Sequence, residues 1–186
     1  KQARRATPAV FYDFGSGYGR LVAQAWLELA PKEIISRSVG VELASARHNA
    51  AVHAWESLRA SGDAQQQCAA AAAAAAAGEP EFILGSMLET DLSQATHVYV
   101  ASLVFDEALV DAVWQVLLRN APRLELVASL RKFPNAGPPD GVVKVAMNWN
   151  DACPVYLYRR GTAATVGASS GASANANADV ENDVAF

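Results

Sequence analysis

The residues best suited to chemistry come early: positions 13 to 19 read Asp-Phe-Gly-Ser-Gly-Tyr-Gly, directly after the apolar run Val10-Phe11-Tyr12. Glycines at alternate positions let a backbone turn tightly and approach a ligand with no Cβ in between, and a helix beginning there offers free N-terminal amides as donors. Such a turn suits a nucleotide-like ligand. The dinucleotide fingerprint GxGxxG is not met, because its last position is Arg20, and GxxxxGK[ST] is absent, so the GxGxG spacing argues against pyrophosphate and triphosphate ligands. An acid, Glu42, stands 23 positions after Gly19 at the end of a second apolar run, where a carboxylate can accept both hydroxyls of a ribose. Turn and acid together point to a ribose-bearing ligand.

Further along, Phe105, Trp149 and Tyr158 are aromatic residues able to wall a narrow channel. An apolar channel desolvates an ammonium and lowers its pKa toward the neutral amine that can act as a nucleophile. Aromatic residues in or beside strands serve equally well as core. His48, His53 and His97 show no metal spacing with acids, and His48 and His53 are five apart rather than four, so no metal is expected. Cys68 and Cys153 form no CxxC pair, which argues against zinc and a disulfide scaffold and fits a reducing compartment. No residue is singled out as a catalytic base.

These groups need elements to hold them. Val10 to Phe14 reads as a strand running into the glycine turn, and Leu21, Val22, Ala25, Trp26 and Leu29 then recur at helical spacing. Ser38 to Leu43 gives a second strand, followed by a helix with Ser45 as its N-cap. Glu81 to Leu84 and His97 to Ala101 make strands three and four, Asp106 caps a helix carrying Leu109, Val113, Val116 and Leu117, and Leu124 to Ser129 makes strand five. Val142 to Trp149 and Val155 to Tyr158 are two strands joined by the turn Asn150 to Pro154, which is too short for a helical crossover, so they pair antiparallel. The fold class is therefore α/β: a mostly parallel sheet between helices, ending in an antiparallel hairpin, with its ligand site at the carboxyl ends of the strands.

Length and composition bound the rest. The 186 residues suit one domain of about 100–150 residues with additions. Of the 39 alanines, nine form an unbroken run from Ala69 to Ala77, so the 52% hydrophobic content overstates the core. Residues 60–78 and 163–186 lack large apolar side chains and cannot offset about 1–2 kcal/mol per ordered backbone residue, so they read as a low-complexity insertion and a disordered tail around a 1–162 body. That body holds 15 basic and 16 acidic residues, without the basic stripe that nucleic-acid contact by counterion release needs. No stretch approaches the roughly 20 apolar residues of a membrane span.

An Asp-x-Gly-Ser-Gly-x-Gly turn followed by an acid at the second strand end resembles the class I S-adenosylmethionine-dependent methyltransferases, and the final hairpin resembles their seventh-strand insertion. The resemblance covers about residues 8–160 and implies a Rossmann-like seven-stranded sheet. It implies S-adenosyl-L-methionine as cofactor, with Gly15, Gly17 and Gly19 facing its methionyl part, Asp13 bracing the turn beside Ser16, Glu42 on the ribose, and Ser86 and Met87 edging the adenine. Ala101, at the end of the fourth strand, completes the implied cofactor set. The segments FYDFGSGYGRLV, VGVELASARHNAA, ILGSMLET, HVYVASLVF, LELVASLRKF and W-x4-PVYLY are similar to the catalytic domain of the disruptor-of-telomeric-silencing type of histone lysine methyltransferases, which lack a SET domain. This implies a nuclear protein-lysine methyltransferase acting on a protein, with a histone in a nucleosome as the suggested partner, and an N-terminal lobe lying before Lys1. The chain departs from that family at Ser86, where an acid is usual, at Ala101 and Ser102, where paired asparagines are usual, and at Leu157 of the usual tandem tyrosines with Tyr158. A methyltransferase for a non-histone lysine or another nitrogen, and a cofactor-binding pseudoenzyme or interaction module, are the alternatives. The [DN]PP[YF] tetrad of the nucleic-acid and glutamine branch is replaced by Ala101-Ser102-Leu103-Val104.

Overall fold

Short apolar runs alternating with amphipathic ones fold here as βα units. The computed structural model describes residues 7–61, 79–147 and 149–160. In chain order these form β1 (Ala9–Phe14), α1 (Arg20–Leu29), β2 (Ile35–Glu42), α2 (Ser45–Ala60), β3 (Glu81–Leu84), β4 (His97–Val100), a 3-10 turn (Ser102–Val104), α3 (Glu107–Asn120), β5 (Leu126–Ser129), β6 (Gly141–Met147) and β7 (Asn150–Arg159). They make one seven-stranded sheet in the order β3-β2-β1-β4-β5-β7-β6. β1 to β5 are parallel, while β7 runs antiparallel to both β5 and β6. Strand order reverses between β1 and β4, and a crevice outside the carboxyl ends of the strands at such a point is where open α/β sheets bind ligands.

Period-two alternation sends side chains to opposite faces of the sheet. Tyr12, Phe14, Val39, Val41, Val98, Val100 and Val127 pack with Val110, Val113 and Leu117 of α3 on one face. On the other, Ala9 and Ile35 meet Trp26 of α1 and Trp55 of α2, with Phe11 and Phe82 against them. Each large side chain so buried contributes about 1.5–3 kcal/mol. Both faces are covered, which is what near-continuous apolar parallel strands require.

Two sequence expectations need correction. α2 is capped differently: its N-cap is Ala44, with no side-chain cap bond, and Ser45 lies inside the helix. The carboxylate of Glu42 serves instead, accepting the Ala44 N–H at 2.8 Å. The hairpin turn also falls earlier than Asn150–Pro154, because β7 already begins at Asn150 and pairs it with Met147. Pro154 lies inside β7, opposite Lys144, at a level where β5 has ended opposite Tyr156, so a partner is lost on only one side by its missing N–H.

Of the low-complexity insertion expected at 60–78, Ala60 ends α2 and Ser61 caps it, while 62–78, the tail 163–186 and Cys68 lie outside the described residues. The neck of the insertion is described. Glu79 accepts from Arg59 at 2.5 Å and from the indole of Trp55 at 3.3 Å, tying the end of α2 to the start of β3. Cys153 is a buried free thiol. Among the described residues no helix is long and apolar enough to cross a membrane.

Candidate functional site

Where β1 ends, the amides of Gly15 and Ser16 both donate to the carbonyl of Val41, and the Gly19 amide returns to the Ser16 carbonyl at 2.9 Å. Gly15, Gly17 and Gly19 all have positive φ, so any other residue there is strained. Their reasons for being glycine differ. A Cβ on Gly17 would meet nothing within 4 Å, leaving open space in front of the backbone. A Cβ on Gly15 would lie 3.3 Å from the ring of Phe105. A Cβ on Gly19 would stand 2.4 Å from Phe82 and 3.0 Å from Ala51, so a side chain there would collide with the packing of β3 and α2.

Glu42, at the carboxyl end of β2, is almost fully buried and accepts three hydrogen bonds: from Gly17 N–H at 3.0 Å, from Ala44 N–H, and from the guanidinium of Arg47 at 2.8 Å. Burial pushes its carboxyl up, but the bonds from Arg47, Ala44 and Gly17 outweigh this and hold it below its usual value. Asp13, paired with Gly40 of β2 and Tyr99 of β4, has the opposite balance. Burial and the nearby charge of Glu42 push it up to about 7, and its Oδ1 has no hydrogen-bond partner. A buried, unsatisfied carboxyl oxygen costs free energy unless something comes to meet it.

The β4 side of the crevice is held by another network. The Ala101 amide donates to the Phe14 carbonyl at 3.3 Å, setting the two strand ends side by side. Ser102 is buried, its hydroxyl 2.9 Å from that of Ser129 and accepting the Arg131 amide at 2.9 Å. The Arg131 guanidinium donates to the Phe105 carbonyl. Phe105 is thereby fixed over Gly15.

The sequence model of the family described as "Histone methylation protein DOT1" matches residues 2–137. The chain belongs to the DOT1 family. No curated protein matches the sequence. Among solved structures, an RNA methyltransferase from Salinibacter ruber in complex with S-adenosyl-L-homocysteine aligns at 21% identity and TM-score 0.55, over 87% of each chain. The rRNA methyltransferase aviRa from Streptomyces viridochromogenes aligns at 14% identity and TM-score 0.56, over 82% of this chain and 77% of its own. M. capricolum TrmK in complex with S-adenosyl-homocysteine aligns at 10% identity and TM-score 0.52, over 84% of this chain and 65% of its own. The shared fold is the class I methyltransferase sheet, and two of these three structures hold S-adenosylhomocysteine.

Within this DOT1-family chain the remaining candidates divide. Gly85 donates to the Glu42 carbonyl at 3.0 Å, so Ser86 follows directly on the acid's strand end, its hydroxyl accepting the Leu88 amide. Met87 packs against the main core. Trp149 is 60% exposed at the tip of the β6–β7 hairpin, which projects beyond the end of β5. Tyr158 is not on a channel. It is 3% exposed, packs edge-on to Phe133 and beside Trp114, and its hydroxyl accepts the Phe133 amide at 3.1 Å. Its inward position in β7, opposite Val127, makes it core.

Five residues near the site were not among those expected from the sequence, and Arg47, which pairs with Glu42, is one of them. Gly40 must be glycine, because a Cβ there would stand 2.8 Å from Ser16 Oγ and from Val22 Cγ2; the small residue two before Glu42 was the available signal. Leu43 and Leu84 are 71% and 50% exposed at the ends of β2 and β3 beside Glu42, apolar residues in water that periodicity alone assigned to strands. Arg131 had no signal, since its bond to Phe105 spans 26 positions. An apolar groove of about 350 Å³ between α1 and α2, lined by Leu27, Trp55, Leu58 and Phe82, reaches the glycine turn at Tyr18 and Gly19 but includes neither Asp13 nor Glu42.

Proposed function

We propose that this S-adenosylmethionine-dependent methyltransferase acts on a protein lysine, with a histone in a nucleosome as substrate and the nucleus as its place of work. Membership of the DOT1 family, over residues 2–137, is the observation that carries the reading. The crevice suits the cofactor on two counts. Gly17 leaves open space where a ligand must approach the backbone, and Asp13 Oδ1 is a buried acceptor in want of a donor. In this reading Glu42 accepts the ribose hydroxyls, Asp13 faces the methionyl ammonium, Gly15, Ser16 and Gly17 line the turn between them, and Ser86 and Met87, with Leu43 and Leu84, border the base. Ala101 lies beside the turn without contributing a polar group.

When bound, the cofactor supplies an electrophilic methyl group on a sulfonium. The chain's own task is to present a neutral amine in line with it, and correct positioning alone accounts for most of what such a transfer needs. Phe105, held over Gly15 by Arg131, offers an apolar wall there, and a desolvated ammonium gives up its proton more readily. Trp149, on the projecting hairpin tip, is placed to meet the substrate protein rather than the reacting atoms. No catalytic residue is assigned.

A second reading, a cofactor-binding pseudoenzyme, is favoured by one observation. Ala101 offers no side-chain amide, and the Ser102 hydroxyl is buried in its bonds to Ser129 and Arg131. Incubating the chain with labelled S-adenosylmethionine and, in parallel, nucleosomes, free histones and RNA separates the readings by mass spectrometry. Label on a lysine side chain is the expected result. Label on RNA, or cofactor binding with no protein labelled, overturns it.

A further inference from the structure

We propose that Arg47 is a positioning residue that holds the Glu42 carboxylate while the ribose site is empty and competes with the ribose hydroxyls for it. The inference rests on the reading of Glu42 as the ribose acceptor. A carboxylate has about four lone-pair directions, and three of them on Glu42 are filled: Gly17 N–H on Oε2, and Ala44 N–H and the Arg47 guanidinium on Oε1. A diol needs two. One of the three donors must therefore yield, or share its oxygen, when both hydroxyls dock.

The two amides are fixed. Gly17 lies inside the turn closed by the Gly19-to-Ser16 bond, and Ala44 is the N-cap of α2, its carbonyl accepting from His48. Arg47 alone can leave. Its side chain is 53% exposed against 5% for Glu42, so its guanidinium can swing into water, whereas the carboxylate cannot follow. The first turn of α2 carries no acid, and a cation near a helix N-terminus is opposed by the helix dipole, so the position itself gives Arg47 no reason to stay. What keeps it there is Glu42, a buried anion next to Asp13, and the same charge is what the ribose hydroxyls seek. Arg47 thus tunes affinity for the cofactor without touching the transferred methyl group.

S-adenosylhomocysteine is the probe, because it carries no sulfonium charge and responds to salt chiefly through the site. Calorimetric titration of the full chain, of Arg47→Met, of Arg47→Lys and of Glu42→Gln, each at low and high salt, tests the proposal. Arg47→Met keeps the apolar stem and loses the charge; it is expected to bind about twofold to fivefold more tightly than the parent at low salt, the range of an exposed ion pair. Parent affinity should rise with salt as the ion pair is screened, and that rise should vanish in Arg47→Met and persist in Arg47→Lys. A purely structural role for Arg47 would not produce that salt signature. Unchanged or weaker binding by a folded Arg47→Met, with Glu42→Gln weakened, overturns the proposal and leaves the ribose assignment standing. Unchanged binding by Glu42→Gln overturns both.

Discussion

Two carboxyl groups near the carboxyl ends of the adjacent strands β1 and β2 are treated in opposite ways. Glu42 is held ionised by three donors, while Asp13, deep in the sheet with Oδ1 unpaired, is pushed up to about 7. Between the pKa of an unfolded aspartate, about 3.9, and that raised value the folded chain keeps a proton that the unfolded chain has lost. Its stability from this group therefore falls as pH rises through that window and levels off above it. Asp13→Asn has no such proton, so its stability relative to the parent should climb from about pH 4 to about pH 7 and then stay level. Urea unfolding of both proteins across that range measures this, and parallel profiles would refute it. The acids themselves stand out in the sequence because Asp13 precedes the glycine-rich turn and Glu42 closes the second apolar run. Their protonation was not legible, since it depends on a missing bond to Oδ1 and on an arginine five residues away on a different element.

At the level of elements, the glycine turn, its flanking strand and helix, and the antiparallel end of the sheet all followed from hydrophobic period and turn length. What did not follow was which aromatic residue points where. Asn150 to Pro154 has turn composition, yet the pairing of β6 with β7 carries that segment into a strand, places Trp149 in the turn and turns Tyr158 inward. A one-residue change of register moves every side chain to the other face, and composition does not fix register. Opposite outcomes are therefore expected for the two residues. Trp149→Ala should change stability by less than about 0.5 kcal/mol while reducing methyl transfer to protein; Tyr158→Ala should lose about 3–5 kcal/mol, as large aromatic truncations in a core do. Thermal unfolding distinguishes them, and a severely destabilised Trp149→Ala would place that indole in the core after all.

For the whole molecule, the sheet is a platform whose carboxyl edge gathers Asp13, the glycine turn, Glu42, Ser86 and Phe105 from four strands, and Glu79 ties the end of α2 to the start of β3. Deleting Gln65 to Ala77 should leave melting temperature and cofactor affinity nearly unchanged, because loop closure changes by only about 0.6 kcal/mol for each doubling of length. A large drop in melting temperature would show that the alanine run packs on the body. The sequence made the order of elements readable through their alternation, but Gly40 became intelligible only once Ser16 and Val22 were seen to close on it across β2. The turn around Gly17, with Glu42, is the proposed cofactor cradle. Calorimetric titration of parent and Gly17→Val with S-adenosylhomocysteine and with NAD tests it most directly. The parent should bind S-adenosylhomocysteine in preference to NAD, and a folded Gly17→Val should bind neither; tighter binding of NAD, or full retention of S-adenosylhomocysteine affinity by the folded variant, would contradict the assignment.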